Sequence, residues 1–384
     1  MAQPGTRRVR WCMRRALALL CLASGLALAG GGGPAPTELP PPPVTGRAEL
    51  TALAVDASGT PVLAWTAQGT EGNRRLHAAR LAAGAWTPLG GVLNEGRSFN
   101  AAQLTARNGA GGQVWLGWAE DSGQAHVDSY LMSGWDGQAW SDPAHYAVRR
   151  NLSDAGRSRA FAVLPDGTPT LAWTDLGVRG AYAGVVRPLA WQAGTWVPQP
   201  LLSDPARAAF SPDLALNRAG RRTVAFLEGD FATMNVRVRQ EDPSGHWTTL
   251  GGPLNRHPGS FTAAPRLALA ADGSPVVTWI EEEPAGHDRV NVSRWTGTRW
   301  QPLGGPVSRP GVSAEAPVLA LSRAGHPVLA WLETGHLRAA RWTGTDWVLL
   351  PLPATHDASG PSLSPDGRYL AVSDGGRVRV WRLP

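Results

Sequence analysis

Seven glycines, Gly59, Gly112, Gly167, Gly220, Gly273, Gly325 and Gly367, stand 53, 55, 53, 53, 52 and 42 residues apart and mark an internal repeat. Around each lies the same skeleton: an apolar run, the Gly turn, and a stretch such as Pro61-Val62-Leu63-Ala64-Trp65 that ends in an aromatic. The aromatics are Trp65, Trp118, Trp173, Phe226, Trp279 and Trp331, with Ser373 in that place in the short seventh copy. A second tryptophan follows a small turn in each full copy, at Trp86, Trp140, Trp196, Trp247, Trp300 and Trp347. Several of these lead to a Leu-Gly-Gly exit, as at Leu89-Gly90-Gly91, Leu250-Gly251-Gly252 and Leu303-Gly304-Gly305.

A copy of this length divides into four short antiparallel strands: a, apolar at the hub; b, ending at the aromatic; c, such as Leu337 to Trp342; and d, from the second tryptophan. One such sheet cannot bury both its faces, so the copies must stack. The expected fold is therefore all-β, a seven-bladed β-propeller of six full repeats and one short C-terminal repeat over residues 46–384. No segment after the first 29 residues carries a sustained 3.6-residue apolar stripe, which disfavours a helical repeat. The seventh copy supplies strands a, b and c but no fourth before Pro384. The stretch from Thr37 to Arg47 is the candidate for the missing outer strand, since Pro is tolerated at an edge; a three-stranded last blade is the alternative.

The spacing of strand c, tight turn and strand-d tryptophan resembles kelch repeats, although strand b lacks the Gly pair that kelch blades carry. The last copy, Leu363-Ser364-Pro365-Asp366-Gly367-Arg368-Tyr369-Leu370-Ala371-Val372 running on to Val378-Arg379-Val380-Trp381, resembles the Ser-Pro-Asp-Gly turn of WD40 and TolB-type blades. The whole is similar to exported bacterial β-propeller repeat proteins, a resemblance that speaks for fold and not for function.

Residues 1–29 read as a secretory signal: Arg7, Arg8, Arg10, Arg14 and Arg15 precede the apolar run Ala16 to Ala29, and Ala27-Leu28-Ala29 offers a cleavage site. Met13 is an alternative start. About 14 apolar residues fall short of the ~20 that span a bilayer, and Gly31 stands where a lipoprotein would carry its lipidated Cys, so a soluble secreted or periplasmic monomer is expected. Residues 30–45 are Gly- and Pro-rich and read as an extended linker. Both cysteines, Cys12 and Cys21, lie in the leader, which leaves no disulfide, thiol chemistry or thiolate-bound zinc for the mature chain. The net charge of +6 is likewise a leader property: five of the 36 basic residues stand there without an acidic residue, so 31 remain against 30 acidic ones. A nucleic-acid partner is not expected. All 36 are Arg, which with a single isoleucine, Ile280, points to coding bias.

The most regular polar feature sits two residues past the strand-b aromatic: Glu120, Asp175, Glu228, Glu281 and Glu333, with Ala67 in the first copy. Residue i+2 of a strand shares the face of residue i, and the end of strand b leads to the b–c loop beside the d–a loops. These carboxylates are thus expected to ring one mouth of the disc. Aromatic and carboxylate together suit a sugar-binding pocket; equally, a carboxylate at a strand end accepts backbone N–H bonds or pairs with Arg. The d–a loops add Arg97, Arg149, Arg150, Arg207, Arg256 and Arg309, of which Arg97, Arg207, Arg256 and Arg309 complete the candidate ligand-binding rim. Phe99, Phe210 and Phe261 recur in the same loops and read as plugs between blades.

His287 beside Glu281, Glu282, Glu283 and Asp288 is the best cation candidate, but no H-E-x-x-H or EF-hand loop appears, so neither metal nor cofactor is expected. The fold also hosts sialidases and other glycosidases. A sialidase needs an Arg triad, a Tyr with a Glu partner and S-x-D-x-G-x-x-W boxes; here the boxes are missing and only Tyr130, Tyr146, Tyr182 and Tyr369 exist. No G-x-S-x-G elbow or Walker loop occurs. The sequence reads as a non-catalytic recognition module for a glycan or other envelope component. The alternatives are a protein-interaction scaffold in the envelope and a glycosidase-like enzyme.

Overall fold

The computed structural model describes residues 34–384 apart from 70–71, 97–98, 122–127, 151–158, 177–183 and 231–232, and the side chains of 128, 149 and 150. The leader, residues 1–29, lies outside them. The chain forms seven four-stranded antiparallel sheets. The first strand of each blade abuts that of the next right round the ring, from Ala48–Val55 in blade 1 to Ala358–Leu363 in blade 7 and back. The fold is a seven-bladed β-propeller with strand a at the hub. Its one helical turn among the described residues is Ala110–Gly112.

All seven landmark glycines take positive φ, from 66° at Gly367 to 86° at Gly167, a region that costs a residue with a Cβ. Each is the turn between strands a and b, whose N–H bonds the carbonyl three residues earlier, as Gly59 does to Asp56 at 2.8 Å. Strand b runs past the aromatic rather than ending at it: Pro61–Gln68 continues three residues beyond Trp65, and Pro275–Glu282 three beyond Trp279. Strand d begins at the second tryptophan in blades 4, 5 and 6 and at the residue before it in blades 1 and 3. In blade 2 it is split. Trp140 makes an isolated bridge to Trp135, and the paired strand is Val148–Arg150.

Strand a carries a bulge whose extra residue is left-handed at Gln103, Ser211, Ala264, Ala316 and Gly360 (φ 49–55°). Pro follows four of the five, at Pro212, Pro265, Pro317 and Pro361, where the interrupted ladder has no use for an N–H. The bulge bends the hub strands, and the hub is tied across blades: Arg107 of blade 2 donates to Asp213 of blade 4 at 3.0 Å, and Asp213 also accepts from the Leu267 amide of blade 5 at 2.8 Å.

The strand-d tryptophans stitch the outer ring. Trp140 Nε1–H donates to Leu89 O at 2.8 Å, Trp300 to Leu250 O at 2.6 Å, Trp347 to Leu303 O at 2.7 Å and Trp196 to Tyr146 O at 3.1 Å. Each joins its blade to the one before. This accounts for the first glycine of the Leu-Gly-Gly exit: Gly90, Gly251 and Gly304 take φ of 77°, 65° and 74°, and a Cβ on Gly251 would stand 3.1 Å from the Trp300 ring. Blade 7 closes as the N-terminal candidate suggests. Thr37 and Glu38 pair with Arg382 and Trp381, Leu39 N donates to Val380 O at 2.8 Å, and Glu38 takes both Nε and NH2 of Arg379 at 2.8 Å. Trp86 of blade 1 then donates to Pro40 O at 2.7 Å, so residues 37–40 belong to the ring.

Candidate functional site

The face bearing the b–c and d–a loops is built by two fastenings repeated from blade to blade. The first is an Asn, Ser or Thr where the chain leaves strand d. Asn94 accepts from the Leu76 amide at 2.7 Å, Ser203 from Val186 at 2.9 Å, Asn255 from Val236 at 3.0 Å, Ser308 from Val290 at 3.0 Å and Thr355 from Leu337 at 2.7 Å. Each fixes the loop to strand c of its own blade. The second is the carboxylate at the end of strand b in the following blade, which accepts the next amide of the same loop.

Glu120 takes the amides of Glu95 at 2.8 Å and Gly96 at 3.3 Å; Glu228 takes that of Asp204 at 2.7 Å. Glu281 takes those of Arg256 at 3.0 Å and His257 at 2.7 Å together with the Ser260 hydroxyl at 2.9 Å. Glu333 takes the Arg309 amide at 3.0 Å. The shared face of residues i and i+2 is used directly: the indole N–H of Trp118, Trp279 and Trp331 donates to Glu120, Glu281 and Glu333 at 2.8, 2.8 and 3.0 Å. These four glutamates are 8% exposed or less, so they lie beneath the loops. In blade 7 Asp374 holds the amides of His356 at 2.9 Å and Asp357 at 3.2 Å. It stands one residue off the repeat's register, which is why spacing alone missed it. Blade 1 lacks the device: Gln68 N meets Arg47 O directly at 2.9 Å, Ala67 is buried, and the Trp65 indole N–H has no acceptor among the described residues.

Cations divide the carboxylates. The strand-c residue opposite the b aromatic is Arg187, Arg237 and Arg338 in blades 3, 4 and 6, and each faces its blade's carboxylate: Asp175 at 3.3 Å, Glu228 at 3.5 Å and Glu333 at 3.4 Å. Blades 2 and 5 have Leu131 and Asn291 there. Glu333 also takes Arg309 Nε at 2.6 Å. Burial pushes the Glu333 carboxyl up, but the Arg309 amide, the Trp331 indole and the Arg309 guanidinium outweigh it and hold the group below its ordinary value. For Glu120 burial wins over the Trp118 indole and two amides, and the carboxyl is raised.

The other rim residues are dispersed. Arg207 stands 3.8 Å from Asp204, half exposed; Arg256 reaches away to Gly304 O at 2.6 Å; Arg97 and the side chains of Arg149 and Arg150 lie outside the described residues. Glu283 of the acidic b–c loop is taken by Arg289 at 2.9 and 3.0 Å. Among the described residues no three His, Cys, Asp or Glu side chains converge as metal ligands. The Phe residues part company: Phe210 packs against the blade 4–5 core, whereas Phe261 is 41% exposed. Its loop is fastened, because Glu281 holds residues 256, 257 and 260 and Phe261 O accepts from Glu282 N at 2.9 Å.

No protein-family model matches the chain, and no curated protein is similar to it in sequence. Among solved structures it is similar to a polysaccharide lyase, the PL25 ulvan lyase bound to -[GlcA(1-4)Rha3S]-, with a TM-score of 0.56 at 12% identity over 88% of this chain and 94% of that one. It is also similar to the Cps50 (Swd1) β-propeller domain of Myceliophteria thermophila, with a TM-score of 0.55 at 11% identity over 91% and 100%. A prolyl endopeptidase gives a TM-score of 0.53 at 13% identity over 85% of this chain and 46% of its own, so the chain spans under half of that protein's length. At such identities the likeness is one of fold.

Proposed function

We propose that the protein is an exported, non-catalytic recognition module that binds a glycan on the face of the b–c and d–a loops, with Phe261 as its stacking surface. The supporting observation is Phe261 itself, an aromatic 41% exposed on a loop fastened at three points by a buried carboxylate. A preformed apolar surface ringed by polar groups holds a sugar's C–H face at little ordering cost. The buried glutamates serve this reading indirectly: their lone pairs are taken up by amides, indoles and arginines, so they shape the loops and leave ligand contact to side chains above them.

The test is binding of the purified chain from Gly30 onward to a broad glycan array, beside Phe261→Ala. The expected result is binding that the variant loses at least tenfold while keeping the wild-type melting temperature. A blank array, or equal binding by the variant, contradicts the proposal. A second reading, a protein-interaction scaffold, is favoured by the outer edge of blade 6, where Val348 and Leu349 are 37% and 46% exposed. The equivalent positions in blades 1, 4 and 5 are the edge-protecting Thr87-Pro88, Thr248-Thr249 and Gln301-Pro302, and in blade 3 Val197 is followed by Pro198. Retention of an envelope protein that Leu349→Thr abolishes is its signature.

A further inference from the structure

One position of strand c, opposite the residue three places before the strand-b aromatic, reaches into the seam with the next blade. Gln240 of blade 4 and Arg294 of blade 5 stand there, opposite Thr223 and Val276. Each donates to the carbonyl of the next blade's turn glycine, Gln240 to Gly273 O at 3.1 Å and Arg294 NH2 to Gly325 O. In blade 1 the residue is Arg80, taken by Asp56 of its own blade at 2.5 Å. Arg294 has no such carboxylate among the described residues. The bond to Gly325 is its only one, its buried Nε has no acceptor, and nearby Asp272 is taken by the Ser274 hydroxyl at 2.6 Å and amide at 2.9 Å.

Arg294 lines a cavity of about 480 Å³ in the seam between blades 5 and 6, on the side of the a–b and c–d turns. His326, Gln301, Leu303, Trp342 and Thr345 share its wall. The volume falls in the ~300–1,000 Å³ range of small-molecule sites, and the wall joins an aromatic ring to a few convergent polar groups.

Between blades 2 and 3 the same seam is filled from within. Gly134 stands at the Arg294 position, opposite Trp115, whose ring would lie 2.7 Å from a Cβ there. Tyr146 takes the place of Leu303: its carbonyl accepts the indole N–H of Trp196, as that of Leu303 accepts from Trp347. The tyrosine ring packs 5.9 Å from Trp115 and, with 70° between planes, 5.1 Å from Trp191, the counterpart of Trp342. An aromatic ring set edge to face beside the strand-c tryptophan is thus what this seam accommodates. The blade 5–6 seam has Leu303 instead of the tyrosine, a cavity beside it and a guanidinium in the wall, whose fork of N–H groups matches a carboxylate.

We propose that the seam between blades 5 and 6 binds a small aromatic carboxylate, its ring against Trp342 and its carboxylate held by Arg294 with His326 alongside. The site lies on the face opposite the b–c and d–a loops and does not rest on glycan binding there.

The test is calorimetric titration of the full mature chain with 4-hydroxyphenylacetate, beside 4-hydroxybenzyl alcohol, acetate and glucuronate. Arg294→Gln, Leu303→Tyr and, as a charge-matched control, Arg218→Gln in the exposed turn of blade 4 are run alongside, with melting temperatures recorded. R294Q should fold, since Gln240 makes the same turn bond in blade 4. Saturable binding of 4-hydroxyphenylacetate is expected, at least tenfold weaker in R294Q, lost in L303Y and unchanged in R218Q. The neutral alcohol and acetate should each bind at least tenfold more weakly, because each lacks one half of the ligand. If L303Y fails to fold, R294Q alone decides. No saturable binding in the wild type, equal binding by R294Q, or binding of glucuronate in preference to the aromatic acid overturns the proposal.

Discussion

Blades 2 and 6 perform the same act with opposite electrostatics. Glu120 and Glu333 both sit two residues past a buried tryptophan, both accept its indole N–H, and both hold the first amide of the preceding loop. Yet burial raises the Glu120 carboxyl, while Glu333 is held low. The cause lies one strand away. Opposite the tryptophan, blade 6 has Arg338 and blade 2 has Leu131, and the loop above Glu333 lends Arg309 as well. Among the described residues Glu120 therefore fastens its loop on neutral donors, at a cost in desolvation that its twin offsets with two guanidiniums.

The sharpest way to break the comparison is to remove both groups. Glu333→Ala strands an indole, an amide and Arg309, and should cost about 3–5 kcal/mol in urea unfolding. Glu120→Gln keeps an oxygen for Glu95 and Trp118 while discarding a desolvated charge, and should cost under about 1 kcal/mol. Equal losses would mean that the cations do not distinguish the blades.

The pH dependence follows with opposite signs. A raised carboxyl contributes stability that is complete below its ordinary pKa and lost as pH rises through the folded value; a lowered one contributes stability present above the ordinary pKa and lost as pH falls through the folded value. Acidification from about pH 7 to about 5 should therefore stabilise the wild type relative to E120Q, and further acidification should erode its advantage over Glu333→Gln. Calorimetric melting of the three proteins across that range decides it. A smaller effect is expected for Arg338→Leu, about 0.5–1 kcal/mol, since Arg309 remains; a loss near that of E333A would make Arg338 the dominant partner.

Blade 1 extends the comparison to a fastening that is missing. Among the described residues Trp65 has no acceptor for its N–H where Trp279 has Glu281. Both become Phe with the same loss of ring, so Trp279→Phe should cost about 1–2 kcal/mol more than Trp65→Phe in denaturant unfolding. Equal costs would show that the indole bond adds nothing.

What was legible in the sequence is what the repeat forced to recur. The turn glycines, the recurring strand-d tryptophans and the candidate for a borrowed fourth strand between Thr37 and Arg47 follow from spacing and from what the seventh copy lacks; the indole bond from each of Trp140, Trp196, Trp300 and Trp347 to the previous blade did not. The depth of Glu120, Glu228, Glu281 and Glu333 was not legible, because it depends on strand b continuing past its aromatic and on loops folding down over its end. The Asn94, Ser203, Asn255, Ser308 and Thr355 fastenings escaped because three residue types share one role. The signal was there: an apolar residue then Asn, Ser or Thr, as in Leu93-Asn94, Leu202-Ser203 and Leu254-Asn255.

The central claim, that these carboxylates fasten the loops, is tested most directly by amide hydrogen exchange in the wild type and Glu281→Ala. The amides of Arg256 and His257 should be protected in the wild type and exchange at least tenfold faster in the variant, with Gly273 on the opposite face unchanged. Fast exchange of Arg256 and His257 already in the wild type, or no change on removing Glu281, would contradict the account.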